Sequence, residues 1–341
     1  MSAAAAAAAV SLPSQTGNTN RRVERPHSAA SGDRAPLFLL EKHCAEKTGR
    51  ALDHWLRALR YLKATGCYDG ETCFLVRDPL HGRVGDGDGD VGDGDVGVGV
   101  VLHFDWVEGE AGRLPLAPRR LHKVAEALAR LHNVPLSTSA TNEDVVSIAL
   151  GGASDVCRLA DMATDPRVED PVYRQYLQET LPQLPRHDEP SLPWAVLHTD
   201  VFPDNVLFDD DRDRATLVDF EEVCAGPRVL DLAVALVGCC RRCATTSPSD
   251  TKNTAAGLNA DQTRRFVAAY RAALNVPMQD SEASALVAFV RLACVNLGAW
   301  RYRHFNIALG QKEHRGYLEM VHLERWVAAQ NNAALFFVSE S

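Results

Sequence analysis

The stretch HTDVFPDNVLF, residues 198–208, sets His198, Asp200, Asp204 and Asn205 at the mouth of a strand-like run, and Asp219 follows in LVDF. Written as H-x-D-x-x-x-x-N, then a strand, then D-F, the spacing gathers oxygen acceptors in one place. If NVLFD and ATLVDF pair as a hairpin over the DDRDR turn, Asn205 and Asp219 meet across two strands and Asp200 lies on the loop just before them. An amide oxygen and a carboxylate are hard ligands of the kind Mg²⁺ takes together with substrate phosphates. A second carboxylate beside them, Asp200, is then free to accept the proton of an attacking hydroxyl. Each residue alone has an ordinary reading: His198 as a core hydrogen-bonding group, Asp204 as a turn former, Asp or Asn at a strand end. The conjunction is what points to phosphoryl transfer.

Three short β-type runs must hold that constellation: WAVLH, NVLFD and ATLVDF, separated by turn residues. Around them the periodicity is helical. Leu121, Val124, Leu128 and Leu131 share one face, and further helices are expected over 171–182, 262–275, 281–308 and 314–330. Ahead of this region lies a smaller mixed unit. It has a helix expected over 41–64, on which Leu52, Trp55, Leu56, Leu59 and Leu62 share a face, and a strand APLFLLE before it. TCFLVRD and GVVLHFDWVEG read as a hairpin flanking an Asp/Gly loop. The fold class expected is α+β, a small mixed β-lobe followed by a larger, mainly helical lobe.

Composition narrows the function classes. The chain has 341 residues, 46% hydrophobic and 24% charged, enough to bury a core in one large or two modest domains. A net charge of −9 argues against a nucleic-acid partner or an anionic membrane surface, both of which need a basic face. No apolar run reaches the ~18 residues of a spanning helix, so no membrane role is expected. Nine scattered cysteines suggest a reducing compartment, with the cytoplasm as the expected location. The Ala/Ser/Arg-rich first 35 residues read as a largely disordered tail and leave organellar import open.

Two other motifs lose their chemistry on inspection. Within GDGDGDVGDGDVGVG, residues 85–99, Gly87, Gly89 and Gly92 spell G-x-G-x-x-G. Asp88 and Asp90 would repel a phosphate, however, and no helix pattern follows to receive one. An EF-hand would need Gly at the sixth position and Glu at the twelfth, where Val91 and Gly97 stand. The tract reads as a solvated, flexible hairpin loop. CCRRC at 239–243 holds one C-x-x-C without the second pair a structural zinc requires.

VLHTDVFPDNVLFD and LVDFEEVCAGPRVLDLAVAL, supported by ALARLH at 127–132, resemble the aminoglycoside-phosphotransferase and choline-kinase-like small-molecule kinases, and the resemblance covers most of the chain. It implies a bilobal protein-kinase-like fold with ATP and Mg²⁺ as cofactors. The wording HTDVFPDNVLFD, with GNTN at 17–20, LLEKH at 39–43 and RLACV at 291–295, is most similar to the homoserine kinase branch. Carried over by position, Asp200 becomes the catalytic base and Asn205 and Asp219 the magnesium ligands. Gly17, Asn18, Thr19 and Asn20 form a turn over the nucleotide phosphates, Asp105, Trp106 and Val107 join the nucleotide contacts, and Asp231 is an N-cap that braces the catalytic loop. The expected division is a tail over 1–35 with a phosphate-loop remnant at 17–20, a nucleotide-binding lobe over 36–108, and a helical lobe over 109–335 carrying the catalytic loop and substrate site.

Departures from the family pattern lie in the small lobe. Phe38 stands where these kinases often carry a strand lysine, with Lys42 the nearest substitute. Ala51 stands where an acidic helix partner is expected, and polyalanine takes the place of the first strand before GNTN. In FEEVC after Asp219, Glu221 follows the phenylalanine where homoserine kinases more typically carry an aromatic residue. Only about ten residues separate Asp219 from the helix opening at Asp231, too few for a peptide-docking activation segment, so the expected partner is a small alcohol or amine. Glu221, beside Glu222, is placed to receive an ammonium group, and Arg301 could hold a carboxylate. The alternative function is a non-catalytic binding protein that keeps the kinase-like fold.

Overall fold

The computed structural model describes residues 10–12, 19–24, 38–44, 62, 100–105, 107–136, 159, 161–186, 188–220, 222–242, 257–330 and 333–337. Four strands, β1 (Val10–Leu12), β2 (Thr19–Glu24), β3 (Phe38–Cys44) and β4 (Val100–Asp105), form an antiparallel sheet in that order. Leu12 pairs with Asn20, Thr19 with His43, and Leu39 with Asp105.

This sheet corrects two expectations. Residues 10–12 and 19–24 are strands, not tail, and β1 follows directly on the alanine run that was read as replacing the first strand. Residues 41–44, expected to open a helix, continue β3. A short apolar run does not reveal its own period, and here the backbone groups of β3 are satisfied by β2 on one side and β4 on the other. Leu62, from the same expected helix, is helical and buried. TCFLVRD and the Asp/Gly loop lie outside the described residues, and the described partner of β4 is β3.

The second region begins at β5 (Glu110–Ala111) and α1 (Pro118–His132), where proline at the first helical position sets the turn. Leu121, Val124, Leu128 and Leu131 are fully buried, as their spacing requires. Asp170 caps α2 (Pro171–Thr180) by accepting from the backbone N–H groups of Val172 and Tyr173. Then come β6 (Trp194–Leu197), a 3₁₀ turn over Pro203–Asn205, β7 (Val206–Asp209), β8 (Arg214–Leu217), β9 (Cys224–Pro227) and α3 (Arg228–Cys239). The hairpin read from sequence is present: β7 and β8 pair antiparallel, with Val206 opposite Leu217, and β5 extends their sheet. β6 pairs separately with β9.

Three helices close the region: α4 (Ala260–Ala273), α5 (Asp280–Arg301) and α6 (Gly316–Gln330). α1 packs along α4, α3 against α5, and α5 against α6, burying Leu232, Leu236, Phe266, Leu286 and Phe289 completely. Among the described residues one helical stretch, Asp280–Ala308, is long and apolar enough by length and composition to cross a membrane, which corrects the expectation of no such run. Half of its most apolar window is buried among the other helices. A helix so enclosed needs an apolar surface to pack, whatever its surroundings.

Candidate active site

Residues 198–205 leave β6 and loop back to β7, and the backbone of the loop is held from beneath by one carboxylate. Asp231 Oδ2 accepts from the His198 N–H at 2.7 Å and Oδ1 from the Thr199 N–H at 2.8 Å. Thr199, whose N–H makes that bond, takes a left-handed conformation, φ 64°. Asp231 itself is fully buried. Burial pushes its carboxyl up, but the hydrogen bond and charge of His132, with His198 beyond, outweigh the burial and hold it below the usual range. The helix containing Asp231 starts three residues earlier than expected, at Arg228 with Pro227 as its N-cap, so Asp231 is a first-turn residue. Its bracing of the loop is present; its capping role is not.

Behind Asp231 stands a second layer. His132 Nε2 lies 3.1 Å from Asp231 Oδ2 and His132 Nδ1 lies 2.7 Å from the Tyr270 hydroxyl. Because the carboxylate only accepts, Nε2 carries the proton that faces Asp231, and Nδ1 is paired with the Tyr270 hydroxyl. His132 lies within ALARLH with no role evident from the sequence, and Tyr270 carries no motif at all. A contact between positions 138 residues apart leaves no local signal.

The three residues singled out by spacing converge. Asn205 Nδ2 donates to the Asp200 backbone oxygen at 2.9 Å and to its Oδ2 at 2.7 Å. The Val218 N–H donates to the Asn205 carbonyl at 3.0 Å, and His198 Nε2 donates to the Val218 carbonyl at 2.9 Å. Asp219, next in the chain, is also left-handed with φ 66°, a region Asp tolerates better than most residues. The Phe220 ring packs on His198 with centroids 4.6 Å apart. Burial pushes the Asp200 carboxyl up to about 6, against the pull of His198 and with Asp219 adding to the rise. A second negative charge close by in a partly desolvated site disfavours the ionised form of Asp200.

Gly238 shows how closely α3 underlies this loop. A Cβ there would meet the Val201 carbonyl oxygen at 2.5 Å and the Phe202 ring at 3.2 Å. Only glycine lets the helix and the loop approach to that distance.

The other expected site residues are placed as follows. Thr19 and Asn20 open β2, and Lys42 of β3 is in register with Asn20 and with Leu102 of β4. Asp105 ends β4, and Val107 is half-buried against the core. Arg301 ends α5, where its Nη1 donates to the Gly316 carbonyl at 2.8 Å and to Glu319 Oε2 at 2.7 Å, joining α5 to α6. Gly17, Asn18, Trp106 and Glu221 lie outside the described residues. Glu222 is exposed, and its carbonyl accepts from the Thr199 hydroxyl at 3.1 Å.

A model of the phosphotransferase enzyme family matches residues 17–270, a span that opens at the expected phosphate turn and takes in Asp200, Asn205, Asp219 and Asp231. The chain belongs to the phosphotransferase enzyme family. Arg301 lies beyond the matched span. Among curated relatives, the homoserine kinase of Parvibaculum lavamentivorans is 32% identical over 136 residues, 40% of each chain. The homoserine kinase of Beijerinckia indica is 29% identical over 206 residues, 60% of this chain and 57% of that one. The chain thus spans about half the length of the curated relatives it matches.

Solved structures bear out the fold. The ethanolamine kinase of Plasmodium vivax superposes with a TM-score of 0.53 at 13% identity, covering 95% of this chain and 81% of that one. The choline kinase of Cryptosporidium parvum gives 0.52 at 12% identity, covering 96% and 88%. The phosphotransferase family chain has the kinase-like fold of these proteins, a small sheet followed by a mainly helical region.

Proposed function

We propose that this phosphotransferase moves the γ-phosphoryl group of ATP, with Mg²⁺, onto the hydroxyl of a small molecule, homoserine or a related amino alcohol. The observation that carries the reading is Asp200, a raised carboxyl held in place by Asn205 beside a second carboxylate, Asp219. Asp200 would accept the acceptor's hydroxyl proton; a carboxyl near 6 is ionised at neutral pH yet a stronger base than an exposed one. The donor set fits Mg²⁺: with Asn205 Nδ2 spent on Asp200, the amide oxygen is the atom left to meet a cation, and Asp219 supplies a carboxylate. Bound there, the ion would neutralise charge on the transferring phosphates. The β1–β2 connection, Gly17 to Asn20, and Asp105 to Val107 would receive the nucleotide.

Homoserine as acceptor is supported by the names of the curated relatives, each matched over a part of its length. Glu221 remains the expected contact for an ammonium group. Arg301 Nη1 is engaged with Gly316 and Glu319, so a substrate carboxylate there would share the guanidinium with them. The test is an ADP-release screen over amino alcohols and hydroxy amino acids with the wild type and Asp219→Ala. The reading expects homoserine or a related amino alcohol to accelerate ADP release in the wild type alone. No acceleration by any of them, together with ATP binding that ignores Mg²⁺, would favour a binding protein on a kinase-like fold.

A further inference from the structure

We infer that Thr199, through its side-chain hydroxyl, is a positioning residue that sets Asp219 for the metal; the inference rests on the magnesium reading of the site given above. β6 and β9 pair antiparallel as far as Leu197 opposite Cys224. Continued by two residues, that register would set Thr199 opposite Glu222. The ladder does not continue in the ordinary way: Thr199 is left-handed and its N–H is bonded to Asp231. The carbonyl of Glu222 is met by the Thr199 hydroxyl at 3.1 Å instead. A side chain here does the work of a backbone donor that has been called away to brace the catalytic loop.

The position of that bond is what gives it a function. Asp219 sits on a short span fastened at both ends to the loop that carries Asp200 and Asn205. Before it, Val218 bonds to His198 and Asn205; after it, Glu222 bonds to Thr199. Asp219 is itself left-handed, so its side-chain direction depends on where both ends of the span are held. Loosening the second fastening lets the carboxylate swing relative to the Asn205 amide. A β-branched residue at positive φ carries a conformational cost that glycine would not. Thr199 therefore combines a less favourable backbone fit with a hydroxyl that glycine lacks.

Three variants of the full chain separate these contributions: Thr199→Ser keeps the hydroxyl, Thr199→Ala removes it, and Thr199→Gly removes both the hydroxyl and the backbone cost. The probe is the Kd of ATP measured by calorimetry with and without saturating Mg²⁺, alongside the melting temperature, with Asp219→Ala as reference. The expected result is an Mg²⁺ enhancement of ATP binding reduced about fivefold in Thr199→Ala, the loss of one neutral hydrogen bond, and retained within about twofold in Thr199→Ser. Thr199→Gly should melt above Thr199→Ala yet show the same weakened Mg²⁺ response. If Asp219→Ala abolishes the enhancement while Thr199→Ala matches the wild type, this inference alone fails. If Thr199→Gly regains the full response along with its stability, the hydroxyl is merely structural and the inference is overturned. An Asp219→Ala variant that keeps the enhancement would remove the metal assignment and this inference with it.

Discussion

Asp200 combines a mostly buried carboxyl with a second carboxylate nearby, and that arrangement carries a stability cost. Its folded pKa, about 6, lies above the unfolded value of ~3.9. The charged form is therefore disfavoured by folding, and the stability tied to this group is full below pH ~3.9 and is lost as pH rises through about 6. Asp231 has the opposite sign: held low, it stabilises at neutral pH and that contribution is lost as pH falls through its depressed pKa. In the nucleotide-free protein, Asp200→Asn should therefore raise stability by roughly 1–3 kcal/mol at pH 8 and change it little at pH 4. Thermal melts of both proteins across that range check the sign; a variant less stable than wild type at pH 8 would contradict it. At this scale the meeting of Asp200, Asn205 and the Val218–Asp219 segment was legible, because they are close in sequence and the hairpin between them is short. The residues that hold them were not. Thr199 reads as an ordinary residue until its φ is known, and Tyr270 reaches the loop only through His132 and Asp231.

At the scale of elements, the loop depends on how α3 is seated, and α3 is tied to α5 by a buried ion pair. Arg228 Nε and Nη2 each lie 2.7 Å from a Glu282 carboxylate oxygen, and Arg228 also donates to the carbonyls of Val276 and Pro277. Glu282 in turn accepts from the Gln279 N–H in the capping box of α5. Both side chains are almost wholly enclosed. Removing one partner leaves the other charge buried alone, so Arg228→Ala should cost ~3–5 kcal/mol, whereas replacing both with apolar residues of similar volume should cost far less. Urea unfolding of the single and double variants tests this, and a single variant as stable as the double would contradict it. Long amphipathic elements such as α1 were legible from periodicity. Errors fell where a neighbour decides the outcome: β3 is a strand because β2 and β4 flank it, and α3 starts at Arg228 because Pro227 ends β9.

Across the whole molecule, the proposed function requires a four-stranded sheet and a helical region to bring a nucleotide and an acceptor to one carboxylate. The acidic tract at 85–99 holds five aspartates of a chain whose net charge is −9, and none of them is among the proposed site residues. Trimming Gly85 to Asp95 to a short turn should leave Mg²⁺-dependent ATP binding nearly unchanged, since closure entropy depends only weakly on loop length. Loss of that binding would assign the tract to the nucleotide site. The central claim is the division of labour within HTDVFPDN: Asp200 acts on the acceptor, while Asn205 and Asp219 hold the metal. The measurement that tests it most directly is turnover and ATP affinity of Asp200→Asn on one preparation, with Mg²⁺ and the best acceptor from the screen. Loss of a general base costs ~10²–10⁴ in rate, so the account predicts a fall in kcat of that size with the Kd of ATP changed by less than about threefold, well under the ~1.4 kcal/mol of a tenfold effect. Wild-type turnover would contradict it by making the Asp200 carboxylate dispensable, and a collapse of ATP binding together with turnover would contradict it by making Asp200 a metal ligand or a structural residue.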